Sequence, residues 1–270
     1  MLPFLLDDAA FQGRPTVLAL GAHSDDIEIG CGGTLIGLAE RYPELVVVWV
    51  VLSATPERAA EARASAAEFL AGVQDARVIV ADFPDTLFPH DDGAMRALFE
   101  RLKADVEPDL VFTHRRADSH QDHRHICELT WNTFRDNLIL EYEIPKYDGE
   151  LPAPNLYVPI SEEVARRKVE TLLRCFQTQR ERPWFTDDLF MALLRLRGME
   201  ANSPSRFAEA FTCRKLVVDV SLGNARIESD AAARRRAVHI VPPYHGAAAV
   251  RPDLLFDLDG RAGASEGAGG

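Results

Sequence analysis

Thr16-Val17-Leu18-Ala19-Leu20-Gly21-Ala22-His23-Ser24-Asp25-Asp26 is the stretch that decides how this chain is read. An unbroken apolar run of this length reads as a strand buried on both faces, and it leads straight into histidine and aspartate. The pattern recurs about ninety residues later. Leu110-Val111-Phe112-Thr113 runs into His114-Arg115-Arg116-Ala117-Asp118-Ser119-His120-Gln121-Asp122-His123. Open α/β sheets build their sites at the carboxyl ends of parallel strands. Two such clusters from distant parts of the chain therefore point to one site, and their residue types are those that hold a catalytic metal.

Working outward, the first half alternates short strands with helical stretches. Thr16–Gly21, Leu45–Leu52, Arg77–Val80, Leu110–Thr113 and Leu138–Tyr142 read as strands. Gly33–Glu40, Glu57–Ala71 and Ala94–Asp105 read as helices between them. This alternation predicts an α/β fold, a mostly parallel sheet with helices on both faces. Glu143–Pro159 reads as a proline-rich loop with a short strand at Asn155–Val158. Ser161 then caps a helix with an apolar stripe through Val164, Val169, Leu172 and Phe176, and another spans Asp187–Leu196 and stops at Gly198. Two regions are expected: residues 1–218 as one domain and 219–270 as an extension, with the last ten or so residues flexible. Within the extension, Arg234-Arg235-Arg236 reads as a solvated surface.

Composition narrows the function. A net charge of −12 without a basic stripe argues against nucleic acid and anionic membranes as partners. No apolar run reaches the roughly 18–20 residues of a membrane span. The start, Met1 to Asp8, lacks a basic segment and does not read as a signal peptide. Four cysteines spaced far apart suit reduced thiols, so a cytoplasmic location is expected, and a homo-oligomer is compatible.

A catalytic zinc keeps three protein ligands and one open position. His23 and Asp26 supply two ligands from the first loop and His123 a third from the second. Asp25 is then left to take a proton from a metal-activated water, and His120 to face the reacting carbonyl as oxyanion stabiliser or acid. Asp122 is the carboxylate expected to hold His120. Gly30-Cys31-Gly32-Gly33 reads as a turn before a helix, and Cys31 as a packed thiol. Three other readings compete. His23-Ser24-Asp25 with a distant histidine also fits a non-haem iron oxygenase triad, although such triads sit on β-barrels. A metal- or sugar-binding protein without activity is another, but it would need neither Asp25 nor His120. A dinucleotide fold is the third, but no G-x-G-x-x-G follows the first strand.

These motifs resemble those of the PIG-L/LmbE-like family of metal-dependent de-N-acetylases. An A-H-P-D-D-E-like motif is represented by Ala22-His23-Ser24-Asp25-Asp26, with Ser24 in place of proline. A later H-x-x-D-x-H-x-D-H-like motif is represented by His114, Asp118, His120, Asp122 and His123. The likeness extends over about residues 15–215, including Tyr142-Glu143-Ile144-Pro145-Lys146 and Arg206-Phe207-Ala208-Glu209-Ala210-Phe211. It implies a Rossmann-like fold and zinc, or iron, held by His23, Asp26 and His123. It further implies Asp25 as base, His120 with its partner Asp122 at the carbonyl, and a substrate-binding pair Arg58 and Glu61. The activity implied is removal of an N-acetyl group from an amino sugar or glycoconjugate. Ser24 is expected to loosen its loop without abolishing metal binding. Specificity is expected from Phe83–Asp92, Glu143–Pro159, Trp184–Phe185 and Arg197–Arg206.

Overall fold

The computed structural model describes Phe11 and residues 14–217; Phe11 and residues 14–216 belong to one compact unit. The amino-terminal start, the extension 219–270, its arginine run and its tail lie outside the described residues.

Among the described residues, seven strands form one sheet: β1 Thr16–His23, β2 Val46–Ser53, β3 Asp75–Val80, β4 Leu110–His114, β5 Leu138–Tyr142, β6 Leu156–Ile160 and β7 Phe207–Cys213. Their order is β3-β2-β1-β4-β5-β7-β6; β1 to β5 run parallel, and β7 lies antiparallel to β5 and β6. The helices are α1 Asp26–Arg41, α2 Pro56–Phe69, α3 Asp92–Asp105, α4 Gln121–Thr133, α5 Glu162–Cys175 and α6 Asp187–Glu200.

Successive side chains of a strand face opposite layers, so a strand with both faces covered must be apolar throughout. All eight residues of β2 are buried. Val17, Ala19, Val47 and Trp49 pack under α1, α2, α5 and α6, whereas Leu18, Leu20, Val48 and Val50 pack under α3 and α4. Each large side chain buried here contributes roughly 1.5–3 kcal/mol of transfer free energy.

β1 and β4 are neighbours in the sheet, yet α1 leaves β1 toward one face and α4 leaves β4 toward the other. That divergence opens a crevice above the ends of the two strands, where sheets of this kind take ligands. Both His/Asp clusters sit at its mouth.

The glycine segment differs from expectation. Helix α1 begins at Asp26, so Gly30-Cys31-Gly32-Gly33 lies inside it and is no turn. The glycines serve packing: a Cβ at Gly30 would overlap the ring of Tyr142. Likewise α6 passes through Gly198, where a Cβ would collide with the backbone of Arg206 just before β7. Helix α4 and strand β7 add to the elements legible in the sequence. The first turn of α4 is occupied by His and Asp, and β7 carries a buried Glu209 that breaks its apolar pattern.

Candidate metal centre

His23 is the last residue of β1, and Asp26 opens α1 three residues later. His123 lies in the first turn of α4. Nδ1 of His23, Oδ2 of Asp26 and Nε2 of His123 converge, with separations of 3.5 Å, 3.6 Å and 3.3 Å for His23–Asp26, His123–Asp26 and His23–His123. Four tetrahedral ligands bound at about 2.0–2.1 Å stand about 3.3–3.4 Å apart, so this spacing fits an ion at the centre of the three.

The ring tautomers agree with that fit. The far nitrogen of each histidine meets a carboxylate: His23 Nε2 lies 3.3 Å from Asp122 Oδ2, and His123 Nδ1 lies 3.1 Å from Asp118 Oδ2. Protons held there leave both lone pairs facing the centre. Burial lowers the pKa of His123 to about 3, which keeps its ring neutral. Burial alone would raise Asp26, but His123, His114 and His23 bring its carboxyl well below the usual range. For His23, burial opposes the charge, yet Asp122, Asp26 and Asp85 together raise its pKa well above the usual histidine value.

Asp25 has φ 93°, a left-handed conformation uncommon outside glycine. Its side chain forgoes capping α1. Oδ1 lies 3.4 Å from the Arg58 guanidinium, while Oδ2 is buried without a hydrogen-bond partner among the described residues. Burial raises this carboxyl well above its usual pKa, and Arg58 offsets part of the rise. Ser24, in the position where a looser loop is expected, is tied to α2. It is fully buried, its Oγ donates to the Arg58 carbonyl at 3.2 Å, and its own carbonyl accepts from Arg58 at 2.5 Å.

His120 caps α4: its Nδ1 accepts from the backbone N–H of Asp122 at 3.3 Å, which leaves Nε2 to carry the ring proton. Burial and the charge on His23 lower its pKa, so the ring rests neutral. Here the expectation for Asp122 needs correcting. Its carboxylate meets His23 and accepts from Thr86 N–H (2.7 Å) and Phe88 N–H (3.3 Å); its hydrogen bond to His120 is through the backbone N–H, and its carboxylate acts on that ring through charge alone. The side chain starts on the first turn of α4 and points back to β1, which spacing along one helix does not reveal.

A match to the family model described as "PIG-L: GlcNAc-PI de-N-acetylase" covers residues 18–134, both clusters included. A curated relative from Escherichia coli K12, the uncharacterized deacetylase YaiS, is 36% identical over 152 residues, spanning 52% of this chain and 82% of YaiS. The chain belongs to the PIG-L family. Solved structures agree at the level of the fold. The N,N'-diacetylchitobiose deacetylase of Pyrococcus horikoshii aligns with TM-score 0.56 at 20% identity over 78% of this chain and 87% of that one. GalB, the 4-carboxy-2-hydroxymuconate hydratase of Pseudomonas putida KT2440, aligns with TM-score 0.63 at 18% identity over 78% of this chain and all of that one. A hydratase on the same fold shows that PIG-L-like architecture alone does not select the reaction.

The remaining site residues of this PIG-L chain fall into place around the centre. Arg58 reaches the Ser24–Asp25 loop, but Glu61 turns away and accepts from the Thr178 N–H (2.9 Å) and hydroxyl (2.6 Å), so the two do not pair. His114, quoted in the second motif but given no role from sequence, is fully buried and stacks on His123 at 3.8 Å. Its Nε2 accepts from Ala22 N–H at 2.9 Å, which ties β4 to β1. Tyr142 adds to this floor through its hydroxyl, which donates to Leu20 O at 2.6 Å. The Cys31 thiol is buried away from the centre, donates to Ile27 O, and burial pushes its pKa up. An open groove of about 500 Å³ brings Lys146 and Tyr147 together with Trp184. Lys146 connects it to the centre, since its Nζ lies 2.8 Å from Asp118 Oδ1. No helix of the described residues is long and apolar enough to cross a membrane.

Proposed function

We propose that the chain hydrolyses the N-acetyl group of an amino sugar or glycoconjugate at a zinc centre held by His23, Asp26 and His123. The observation that carries this reading is three donor atoms at tetrahedral spacing, with the carboxyl of the adjoining residue Asp25 buried and its Oδ2 without a hydrogen-bond partner among the described residues. The names of the relatives, deacetylase and chitobiose deacetylase, support the reaction and the substrate class. Two nitrogens and one carboxylate suit Zn²⁺, and Fe²⁺ shares that preference. A divalent cation bound there supplies a Lewis acid and eases the ionisation of water.

The chain's own residues do the rest. Asp25 accepts the proton of the attacking water through Oδ2, with Oδ1 steadied by Arg58, and later returns a proton to the leaving amine. The Nε2–H of His120 donates to the oxygen that gains charge as the amide carbonyl becomes tetrahedral. Asp122 and Asp118 position His23 and His123. Trp184 and Tyr147 in the groove offer rings on which a sugar can stack. An oxygenase triad through Asp25 is disfavoured, because that side chain faces Arg58 while Asp26 faces the histidines.

The test is Asp25→Asn. The variant should keep about one metal per chain, and acetate release from N-acetylated sugars should fall at least 100-fold. Full activity in the variant would remove Asp25 from the mechanism.

A further inference from the structure

Residues 144–151, between β5 and β6, form a strap laid against the loop from β4 to α4 that carries Asp118 and His120. Its ends are fixed. The buried Arg197 guanidinium donates to both oxygens of Glu143, each at 2.7 Å, and to the Pro152 carbonyl at 3.0 Å. Between those points the backbone does little. Among the described residues, no backbone-to-backbone hydrogen bond joins 144–152 to any other part of the chain. A segment without such bonds opens at low cost unless side chains hold it.

Most of that hold falls to one residue. The Glu150 carboxylate accepts from the Ser119 N–H at 2.9 Å, the Ser119 hydroxyl at 2.7 Å and the Lys146 ammonium at 2.8 Å. Its carbonyl accepts from Arg115 at 3.2 Å. Burial opposes the charge, yet Lys146 and Ser119 bring the carboxyl down to about 2, so it stays ionised throughout the neutral range. The other tie from the middle of the strap is Lys146 on Asp118. That is a point charge on a flexible stem, and Glu150 steadies it as well.

What the strap carries shows what the hold achieves. Pro145, Lys146 and Tyr147 line the open groove of about 500 Å³ from the strap, and Pro183, Trp184 and Leu189 line it from the segment entering α6. Tyr147 is 70% exposed, so core packing does not fix its ring; the position of the strap does. Lys146 faces Asp118, Asp148 and Glu150, which leaves the groove rings and little net positive charge. Such a groove suits an uncharged group with a flat, apolar face.

We propose that Glu150 is the latch of this strap and a positioning residue for binding. By holding Tyr147 across the groove from Trp184, it sets how tightly the protein grips the group that an N-acetylated sugar carries at its anomeric carbon. The binding role rests on the deacetylase reading above; the latch does not.

The latch is tested by limited trypsin digestion of the metal-loaded protein, with cleavage after Lys146 followed by mass spectrometry. Glu150→Ala should be cut there at least about tenfold faster than the wild type, since cleavage follows the population of the opened strap. Glu150→Gln keeps the shape and loses the charge, and it should also be cut faster. Unchanged cleavage in both variants, or an equal rise at sites throughout the chain, would overturn the latch. The binding role is tested by acetate release from p-nitrophenyl N-acetyl-β-D-glucosaminide and from free N-acetylglucosamine. Glu150→Ala should raise KM for the aryl glycoside about fivefold with little change in kcat, and leave both constants for the free sugar within about twofold. Equal losses on the two sugars would mean that Glu150 acts through the His120 loop, and would overturn the binding role. If the wild type releases acetate from neither, the deacetylase reading fails and the binding role with it, while the tryptic result still decides the latch.

Discussion

Asp118 touches no reacting atom, yet it supports the centre from three directions. Its Oδ2 holds His123 Nδ1 at 3.1 Å, and its Oδ1 accepts from His120 N–H and from Lys146, both at 2.8 Å. Burial opposes its charge, but His123 and Lys146 hold the carboxyl well below the usual carboxylate range. Such outer carboxylates set ligand orientation and basicity, and losing one typically costs 10–100-fold in metal affinity. Asp118→Asn should therefore bind zinc about 10–100-fold more weakly in competition with a chelator. An unchanged affinity would show that the ring of His123 is held by packing alone. At this scale much of the site is legible in the sequence. His23, Asp26 and His123 converge as their motif spacing suggests. What spacing hides is direction: Asp122 lies one residue from His123 and two from His120, yet its carboxylate reaches across the crevice to β1.

At the scale of elements, α1 shows why the glycines were misread. Within this helix the N–H groups of Gly33 and Thr34 donate to the Glu209 carboxylate of β7, each at 2.7 Å. Lys168 of α5 closes the network by donating to Glu209 (2.5 Å) and to the Ile29 carbonyl (2.7 Å). Closely spaced glycines are a local mark of the turn before a helix, which is why the segment up to Gly33 reads as one in the sequence. The partner of the Gly33 N–H lies 176 residues away in the chain, which no local pattern encodes. Removing one member of a buried ion pair leaves the other uncompensated and costs about 3–5 kcal/mol. Glu209→Ala should lose about that much stability in urea unfolding, with Lys168 stranded. A loss below about 1 kcal/mol would mean that water replaces the carboxylate without penalty.

For the whole molecule, the decisive fact is the divergence of α1 and α4 from adjacent strands. The parallel core was legible because β1, β2 and β4 are buried on both faces and so must be apolar throughout. The closing antiparallel pair was less so, since β7 carries the buried Glu209 and β6 is largely half-buried. Once the strands lie side by side, two segments about ninety residues apart meet at one crevice, and three of their side chains take the spacing of a tetrahedral ion. The central claim is that this ion and Asp25 together hydrolyse an N-acetyl group. It is tested most directly by measuring acetate release from N-acetylated amino sugars by the protein as purified, after chelation, and during stepwise return of zinc. Activity should vanish with the metal and recover fully at one equivalent per chain. Undiminished acetate release from the metal-free protein would contradict the account.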